Sequence, residues 1–149
     1  MKKIITLSLL FVFIVSCKTA APTIGGEGTF EILKQETNGG REKAANVLIK
    51  SQEELDKLYA ELNLTEVPKV DFVGNNVVAL FMGQQNTGGF SISIGKVTLE
   101  GETNTATVQI VESTPQDMAT MALTAPYCIA TISKSKKVEF VKSPYIAED

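Results

Sequence analysis

The feature that most constrains the fold is the second half of the chain, where apolar residues follow the two-residue period of a β-strand. Residues 76–82 form a continuous apolar run of a length typical of a strand buried on both faces, so we expect this strand to be central in its sheet. Residues 90–94 and 105–110 instead alternate apolar with polar side chains, which predicts two strands that each bury one face. The turn at residues 101–102 should join these two strands as an antiparallel pair.

Further strands are predicted on both sides of this region. Residues 127–133 are apolar and rich in β-branched side chains, and residues 138–141 form another short strand. The intervening residues 134–136 predict a tight reversal between these two strands. Upstream, residues 29–36 and 45–50 predict two more strands, which are separated by a glycine-rich turn.

One helix is predicted directly after residues 45–50. Ser51 and Glu54 have the spacing of a capping box, in which a hydroxyl and a carboxylate each accept a hydrogen bond from an otherwise unpaired backbone N–H. The apolar residues that follow recur at three- and four-residue intervals and share one helix face; they are Leu55, Leu58, Tyr59 and Leu62. This face is expected to pack on the sheet rather than to form a groove for a partner.

Together these elements predict an α+β fold, in which one amphipathic helix packs against a twisted, mostly antiparallel β-sheet. We expect the sheet to close partly toward a barrel or a sandwich. Residues 28–149 are assigned to a single domain, because their number suffices to bury a hydrophobic core without disulfides and because no internal repeat is visible.

The start of the chain has the features of a bacterial lipoprotein signal. Two lysines precede an apolar run at residues 4–15, which would span only about 18 Å as a helix against a hydrocarbon core of about 30 Å. The run ends at Cys17, in a pattern that resembles the lipobox. We therefore expect residues 1–16 to be cleaved, Cys17 to be lipidated, and residues 17–27 to form a tether.

A lipidated Cys17 would place the protein in the bacterial cell envelope, because several acyl chains hold a protein durably on a membrane. The residue after it is Lys18 rather than the aspartate that marks inner-membrane retention in some bacteria, which favours the outer membrane. Two alternatives remain open: an ordinary secretory signal with an incidental cysteine, and an uncleaved anchor.

The composition excludes much familiar chemistry. The chain contains no histidine, which eliminates Ser-His and Cys-His nucleophilic pairs and imidazole as a general acid, general base or zinc ligand. Cys128 lies in an apolar, β-branched stretch and is expected to be a small core residue rather than a reactive thiol. We expect no catalytic residues, no metal and no cofactor, so the protein should not be an enzyme. A formal net charge of −3 without a basic stripe argues against nucleic acid as a partner.

Two segments are unusual for simple connectors. Residues 83–90 combine three glycines with amide and hydroxyl side chains, which favours either a bulge where strands approach closely or a loop that grips another chain. Pro126 leads into a strand, and Tyr127 could be a partly exposed aromatic anchor or a buried residue at the strand entry. Residues 114–123 carry two methionines and small residues, and we expect an adaptable loop near the glycine-rich segment.

These features carry a family resemblance. The glycine-rich segment ending in Thr87-Gly88-Gly89-Phe90, the alternating hairpin after it, and Ala125-Pro126-Tyr127 resemble the C-terminal domain of the treponemal protease complex subunit PrcB over residues 76–142. The chain departs from that pattern at Phe90, where tyrosine is common. The resemblance implies a lipoprotein domain that helps to assemble or stabilise a surface protease complex without being the protease.

The leading hypothesis is therefore a non-enzymatic lipoprotein whose domain binds or stabilises another envelope protein, with a protease complex as a candidate partner. The expected contact residues are Gly83, Gln84, Gln85, Asn86, Thr87, Gly88, Gly89, Phe90, Pro126 and Tyr127. Two alternatives stay open. The same glycine-rich loop could block a protease cleft as an inhibitor, or the mouth of a half-closed sheet could bind a small ligand or glycan.

Overall fold

The fold was analysed in a computed structural model that describes residues 26–115 and 120–143. The expected signal peptide, Cys17 and most of the expected tether lie outside these residues, as do residues 116–119 and 144–149. The predictions made for those segments therefore stay predictions.

The described residues contain nine regular elements, and each predicted strand and the predicted helix correspond to one of them. The elements are β1 (Gly26–Glu27), β2 (Phe30–Glu36), β3 (Ala45–Ile49), α1 (Gln52–Glu61), β4 (Asn75–Phe81), β5 (Ser91–Glu100), β6 (Thr105–Ser113), β7 (Tyr127–Ser133) and β8 (Lys137–Lys142). The two-residue strand β1 was not predicted, because two residues are too few to show a periodic pattern.

The strands form two four-stranded sheets. One has the order β2-β7-β4-β3 and the other the order β1-β5-β6-β8. All neighbours in both sheets are antiparallel except β6 and β8, which run parallel. The mostly antiparallel α+β prediction is confirmed, whereas partial closure of one sheet into a barrel is not.

The predicted reversal between β7 and β8 is wrong as a pairing of those two strands. Both edges of β7 are occupied, by β2 and β4, so β8 has no free edge to join in that sheet. The connection instead crosses to the other sheet, where the backbone N–H of Lys136 donates to the carbonyl oxygen of Asn104 at 2.9 Å. From there β8 continues along the free edge of β6, beginning with Lys137 opposite Thr105.

Strand β4 is buried on both faces, as its continuous apolar sequence predicts. Val78 and Leu80 belong to a core that also contains residues of β5 and β6, so this core lies between the two sheets. Val77 and Ala79 point the opposite way, into a second core that contains the apolar residues of α1. The order of layers is therefore sheet, sheet, helix, and the β2-β7-β4-β3 sheet is the middle layer.

Helix α1 begins with the predicted cap. The backbone N–H of Glu54 donates to Ser51 Oγ at 3.3 Å, and the Glu54 carboxylate accepts from the backbone N–H of Lys50 at 2.8 Å. Leu55, Leu58 and Tyr59 are buried, which confirms the predicted packing face. Among residues 26–115 and 120–143, no helix has both the length and the apolar character needed to cross a membrane.

Candidate functional site

The candidate site is built from two loops that lie side by side at one end of the middle sheet. Residues 83–90 follow β4, and residues 120–126 precede its neighbour β7. Gln85 N donates to Thr124 O at 2.7 Å, and Thr124 N donates back to Gln85 O at 3.0 Å. This reciprocal pair extends the β4-β7 pairing beyond the ends of the strands. We call the two segments together the loop platform.

Further hydrogen bonds hold the outer part of the loop platform. The backbone N–H of Gly88 donates to the carbonyl oxygen of Thr120 at 2.9 Å. The Thr124 hydroxyl donates to the carbonyl oxygen of Thr87 at 2.8 Å. The described end of the methionine-containing loop therefore lies beside the glycine-rich segment, where the sequence predicted it. These hydrogen bonds hold the two segments against each other without a partner.

The inner part of the loop platform is tied to the segment before β3. Gln84 N donates to Glu42 O at 2.9 Å, and Met82 N donates to Pro126 O at 3.0 Å. Gly83 is buried there, and a Cβ on it would lie 2.9 Å from the backbone nitrogen of Ala44. Gly83 is thus needed for close backbone packing and offers no surface to a partner.

Gly88 and Gly89 have a packing role. The sequence had left open whether they permit close packing or form part of a loop that grips another chain. A Cβ on Gly88 would lie 2.6 Å from Thr120 Oγ1, closer than real side chains approach. Gly89 has a φ of +86°, which side-chain-bearing residues rarely adopt, and a Cβ there would lie 2.7 Å from Pro115 Cβ. These glycines shape the loop platform so that the neighbouring side chains can face outward.

Pro126, the last residue of the loop platform, and Tyr127 after it are both buried rather than on the outward surface. Tyr127 is 2% exposed. It is therefore a buried residue at the strand entry and not a partly exposed anchor. Its ring stacks on Phe81 with centroids 6.2 Å apart, and the guanidinium of Arg41 lies 4.7 Å from the centroid of the Phe81 ring on this cluster. Burial raises the pKa of the Tyr127 hydroxyl. Both residues can position the platform but cannot contact a partner directly.

The outward surface of the loop platform is apolar at its centre and polar beside it. Met121 is 96% exposed and Leu123 is 62% exposed. Gln84 and Asn86 are the exposed side chains of the glycine-rich segment, while Phe90 is only partly exposed. The sequence analysis missed Met121 and Leu123 as contact residues. The available signal was two large apolar side chains in a loop that precedes a strand.

The described residues offer little to catalysis. No group of three or more Cys, Asp or Glu side chains that could hold a metal ion occurs in the described part of the chain. Burial raises the pKa of the Cys128 thiol to about 11, against hydrogen bonds with Ser93 and Ile94 that lower it. The thiol is therefore protonated at neutral pH and a poor nucleophile, as its place in an apolar strand predicted.

Comparison with known protein families gives a match that includes the loop platform. Residues 76–133 match the family model described as PrcB C-terminal, and this range contains both segments of the platform. Neither the curated proteins nor the solved structures give a match. The match ends at Ser133, before β8, whereas the resemblance drawn from the sequence extended to residue 142. The resemblance itself is confirmed over residues 76–133, which match the PrcB C-terminal family model.

Proposed function

We propose that this protein is a non-enzymatic, lipid-anchored component of the bacterial cell envelope that binds or stabilises a partner protein through the loop platform. A protease complex is the first partner to test, because the matching family takes its name from a subunit of such a complex. The observation that carries the proposal is the exposure of Met121 and Leu123 on a hydrogen-bonded platform inside the family-matched segment.

The composition of the loop platform supports a protein partner. Residues 83–90 and 120–126 contain no charged side chain, in a chain of which 21% is charged. Depletion of charge around exposed apolar side chains, with amide groups at the margin, is the usual anatomy of the centre of a protein interface. The platform therefore suits an uncharged, apolar surface on the partner.

The fixed backbone also supports binding. Ordering a flexible loop on binding costs conformational free energy, which lowers affinity. Here the reciprocal bonds between Gln85 and Thr124 and the bond from Gly88 to Thr120 meet that cost during folding. The platform can then bind with little rearrangement.

The non-enzymatic part of the proposal rests on side-chain chemistry. The whole chain lacks histidine, and the one described cysteine is a buried thiol with a raised pKa. The anchored location rests on the lipobox-like sequence that ends at Cys17. Lipidation would keep the domain at the membrane, where envelope protease complexes are found by family analogy.

A second candidate function is protease inhibition by the same loop. It is favoured by the rigid backbone of residues 83–90, since a loop that blocks a protease must resist rearrangement. Gln84 and Asn86 are the exposed side chains that would enter a cleft. Addition of the purified protein to a panel of envelope proteases distinguishes the two functions, because an inhibitor lowers their activity and a stabilising subunit preserves or raises it.

The proposed surface is tested by crosslinking in native envelopes followed by quantitative mass spectrometry. The test variant is the double substitution Met121→Ser with Leu123→Ser, which removes apolar surface without touching the core. Val73→Ser is the matched control, since Val73 is 89% exposed but lies in the turn before β4, outside the platform. We expect the double variant to lose captured partner by at least about tenfold, as removal of central apolar contacts does, and the control to match the wild-type protein.

Equal capture by the wild-type protein and the double variant would remove the loop platform as the binding surface. Thermal unfolding of all three proteins is measured in parallel. Because Met121 and Leu123 are exposed, we expect the three unfolding temperatures to agree, which separates loss of binding from loss of fold.

A further inference from the structure

A groove lies between β2, α1 and the segment after α1. Its residues precede those of the loop platform in the sequence. Its volume is about 490 Å³, within the range of sites that hold small molecules. It is lined by Leu33, Lys34, Tyr59, Leu64, Thr65, Glu66, Val67 and Pro68. All of these residues precede the family-matched segment, so the family match says nothing about the groove.

Tyr59 is the most unusual residue of this groove. The residue is only 2% exposed, yet it lines the groove, and its hydroxyl has no hydrogen-bond partner among the described residues. Among the described residues the fully buried side-chain oxygen or nitrogen without a partner is Asn76 Oδ1, so the Tyr59 hydroxyl is accessible from the groove and can donate to an acceptor on a ligand. Burial also raises the pKa of this hydroxyl, so that it remains a protonated donor at neutral pH.

Lys34 adds a positive charge beside this hydroxyl. Its ammonium contacts Glu36 Oε1 at 2.8 Å, in a pair whose side chains are 39% and 50% exposed. Lys34 and Tyr59 line the same groove, and the charge of Lys34 acts to lower the pKa of Tyr59. Exposed ion pairs contribute little to stability, so another carboxylate can replace Glu36 at little cost.

The rest of the groove is mainly aliphatic. Leu33 and Leu64 face it, together with Val67 and Pro68. Leu33 lies where the pairing of β2 with β7 shifts register, between Ile32 and Lys34. Leu33 and Lys34 both line the groove at this irregularity, so the wall offers an apolar side chain next to a charged one.

We propose that this groove binds a small molecule that combines an aliphatic body with a single carboxylate. The carboxylate accepts hydrogen bonds from the Lys34 ammonium and the Tyr59 hydroxyl and replaces the Glu36 side chain on Lys34. The aliphatic body packs against Leu33 and Leu64. The ligand should carry no more than one negative charge. Lys34 is the one cationic residue of the groove, and the negative charge of Glu66 would repel a second anionic group.

The test is a titration of the full chain with octanoate, followed by calorimetry and by amide chemical shifts. N-acetyl-leucyl-leucine is titrated separately, since an aliphatic carboxylate can come from a lipid or from a peptide terminus. Octanamide is the uncharged comparison. We expect saturable binding of octanoate, of the dipeptide or of both, with shifts concentrated at residues 33–34 and 64–68, and no binding of octanamide at the same concentrations.

Four variants connect the binding to the proposed residues. Tyr59→Phe keeps the ring and removes the hydroxyl, and we expect affinity to fall about fivefold; Lys34→Met should lower it by about tenfold or more. Glu36→Gln removes the competing carboxylate and should raise affinity about threefold. Lys57→Met is the charge-matched control, because Lys57 is on α1 but pairs with Glu53 outside the groove, and it should leave affinity unchanged.

Unfolding temperatures are measured for every variant, and Tyr59→Phe and Lys34→Met are expected to fold as the wild-type protein does. The proposal is overturned if neither carboxylate binds, if octanamide binds as tightly as octanoate, or if the shifts fall outside the groove. Equal weakening by Lys57→Met and Lys34→Met would also overturn it, because that result indicates general attraction of charge.

Discussion

Gly89 shows how one residue determines the geometry of the loop platform. Two independent observations require glycine at this position. Its φ is +86°, and a Cβ on it would lie only 2.7 Å from Pro115 Cβ. We predict that Gly89→Ala lowers the free energy of unfolding by about 1–3 kcal/mol. Chemical denaturation measures this change. Gly26→Ala is the control, because nothing lies within 4 Å of a Cβ there, and equal stability of the two variants would contradict the prediction.

Cys128 makes a second prediction at the residue scale. The chain has two cysteines, so the Cys17→Ser variant leaves Cys128 as its one thiol. Burial raises the pKa of that thiol to about 11, so at pH 8 it is almost entirely protonated as well as shielded. We predict no measurable reaction with a chromogenic disulfide in the folded protein and complete reaction in denaturant. Rapid labelling of the folded protein would indicate a reactive thiol.

Tyr127 illustrates what the sequence could and could not predict about a residue. An aromatic side chain at a strand entry fits both a surface anchor and a core position, because both bury an apolar ring. The partner that decides between them is Phe81, which is distant in sequence and stacks on Tyr127 only after β4 and β7 pair. Met121 and Leu123 show the reverse case, since their exposure depends on which loops cover them.

At the element scale, local patterns predicted the elements well and their partners less well. Period-two alternation identified β5 and β6, and the Ser51 and Glu54 spacing identified the start of α1. The parallel pairing of β8 with β6 could not be predicted from the sequence of β8. It follows from which strand edges are already occupied, and that is a property of the assembled sheets.

The contact between Arg41 and the end of α1 gives a pH-dependent prediction. Arg41 Nε and Nη2 donate to the two Glu61 carboxylate oxygens at 2.7 and 2.8 Å, joining the segment before β3 to the helix. The Arg41 hydrogen bond lowers the pKa of Glu61 from 4.5, so the stability it contributes is present above that value and is lost as pH falls through the lower folded pKa.

We therefore predict that Glu61→Gln destabilises the protein at pH 7 by at most about 1 kcal/mol, since the pair is largely solvent-exposed. The difference should shrink when the pH is lowered below the depressed folded pKa of Glu61, where the wild-type carboxylate is also protonated. Denaturant unfolding at pH 7 and at the acidic pH measures the difference in unfolding free energy between the two proteins. Glu53→Gln is the control, because Glu53 pairs with Lys57 on the outer face of the same helix. A Glu61→Gln effect that is the same at both pH values would contradict the assigned cause.

At the scale of the whole molecule, the two proposed sites divide the chain. The loop platform lies within residues 76–133 and the groove within residues 33–68, so the family match informs the first and not the second. The sequence indicated the platform through residues 83–90, whose glycines and amides are unusual locally. The groove had no comparable signal, because it forms where a strand, a helix and a loop meet in space and each of its side chains is ordinary in its own element.

The proposed lipid anchor would determine where both sites operate, and Cys17 provides its test. Each buried methylene contributes about 0.8 kcal/mol, so several acyl chains hold a protein on a membrane durably whereas one chain holds it only marginally. We predict that Cys17→Ser abolishes incorporation of labelled palmitate and moves the protein from the membrane fraction to the soluble fraction of the envelope. Cys128→Ser is the matched control, because that thiol is buried in β7, and it should retain both the label and the membrane location. A Cys17→Ser protein that stays in the membrane fraction would show that an uncleaved apolar leader, rather than lipid, holds the chain there.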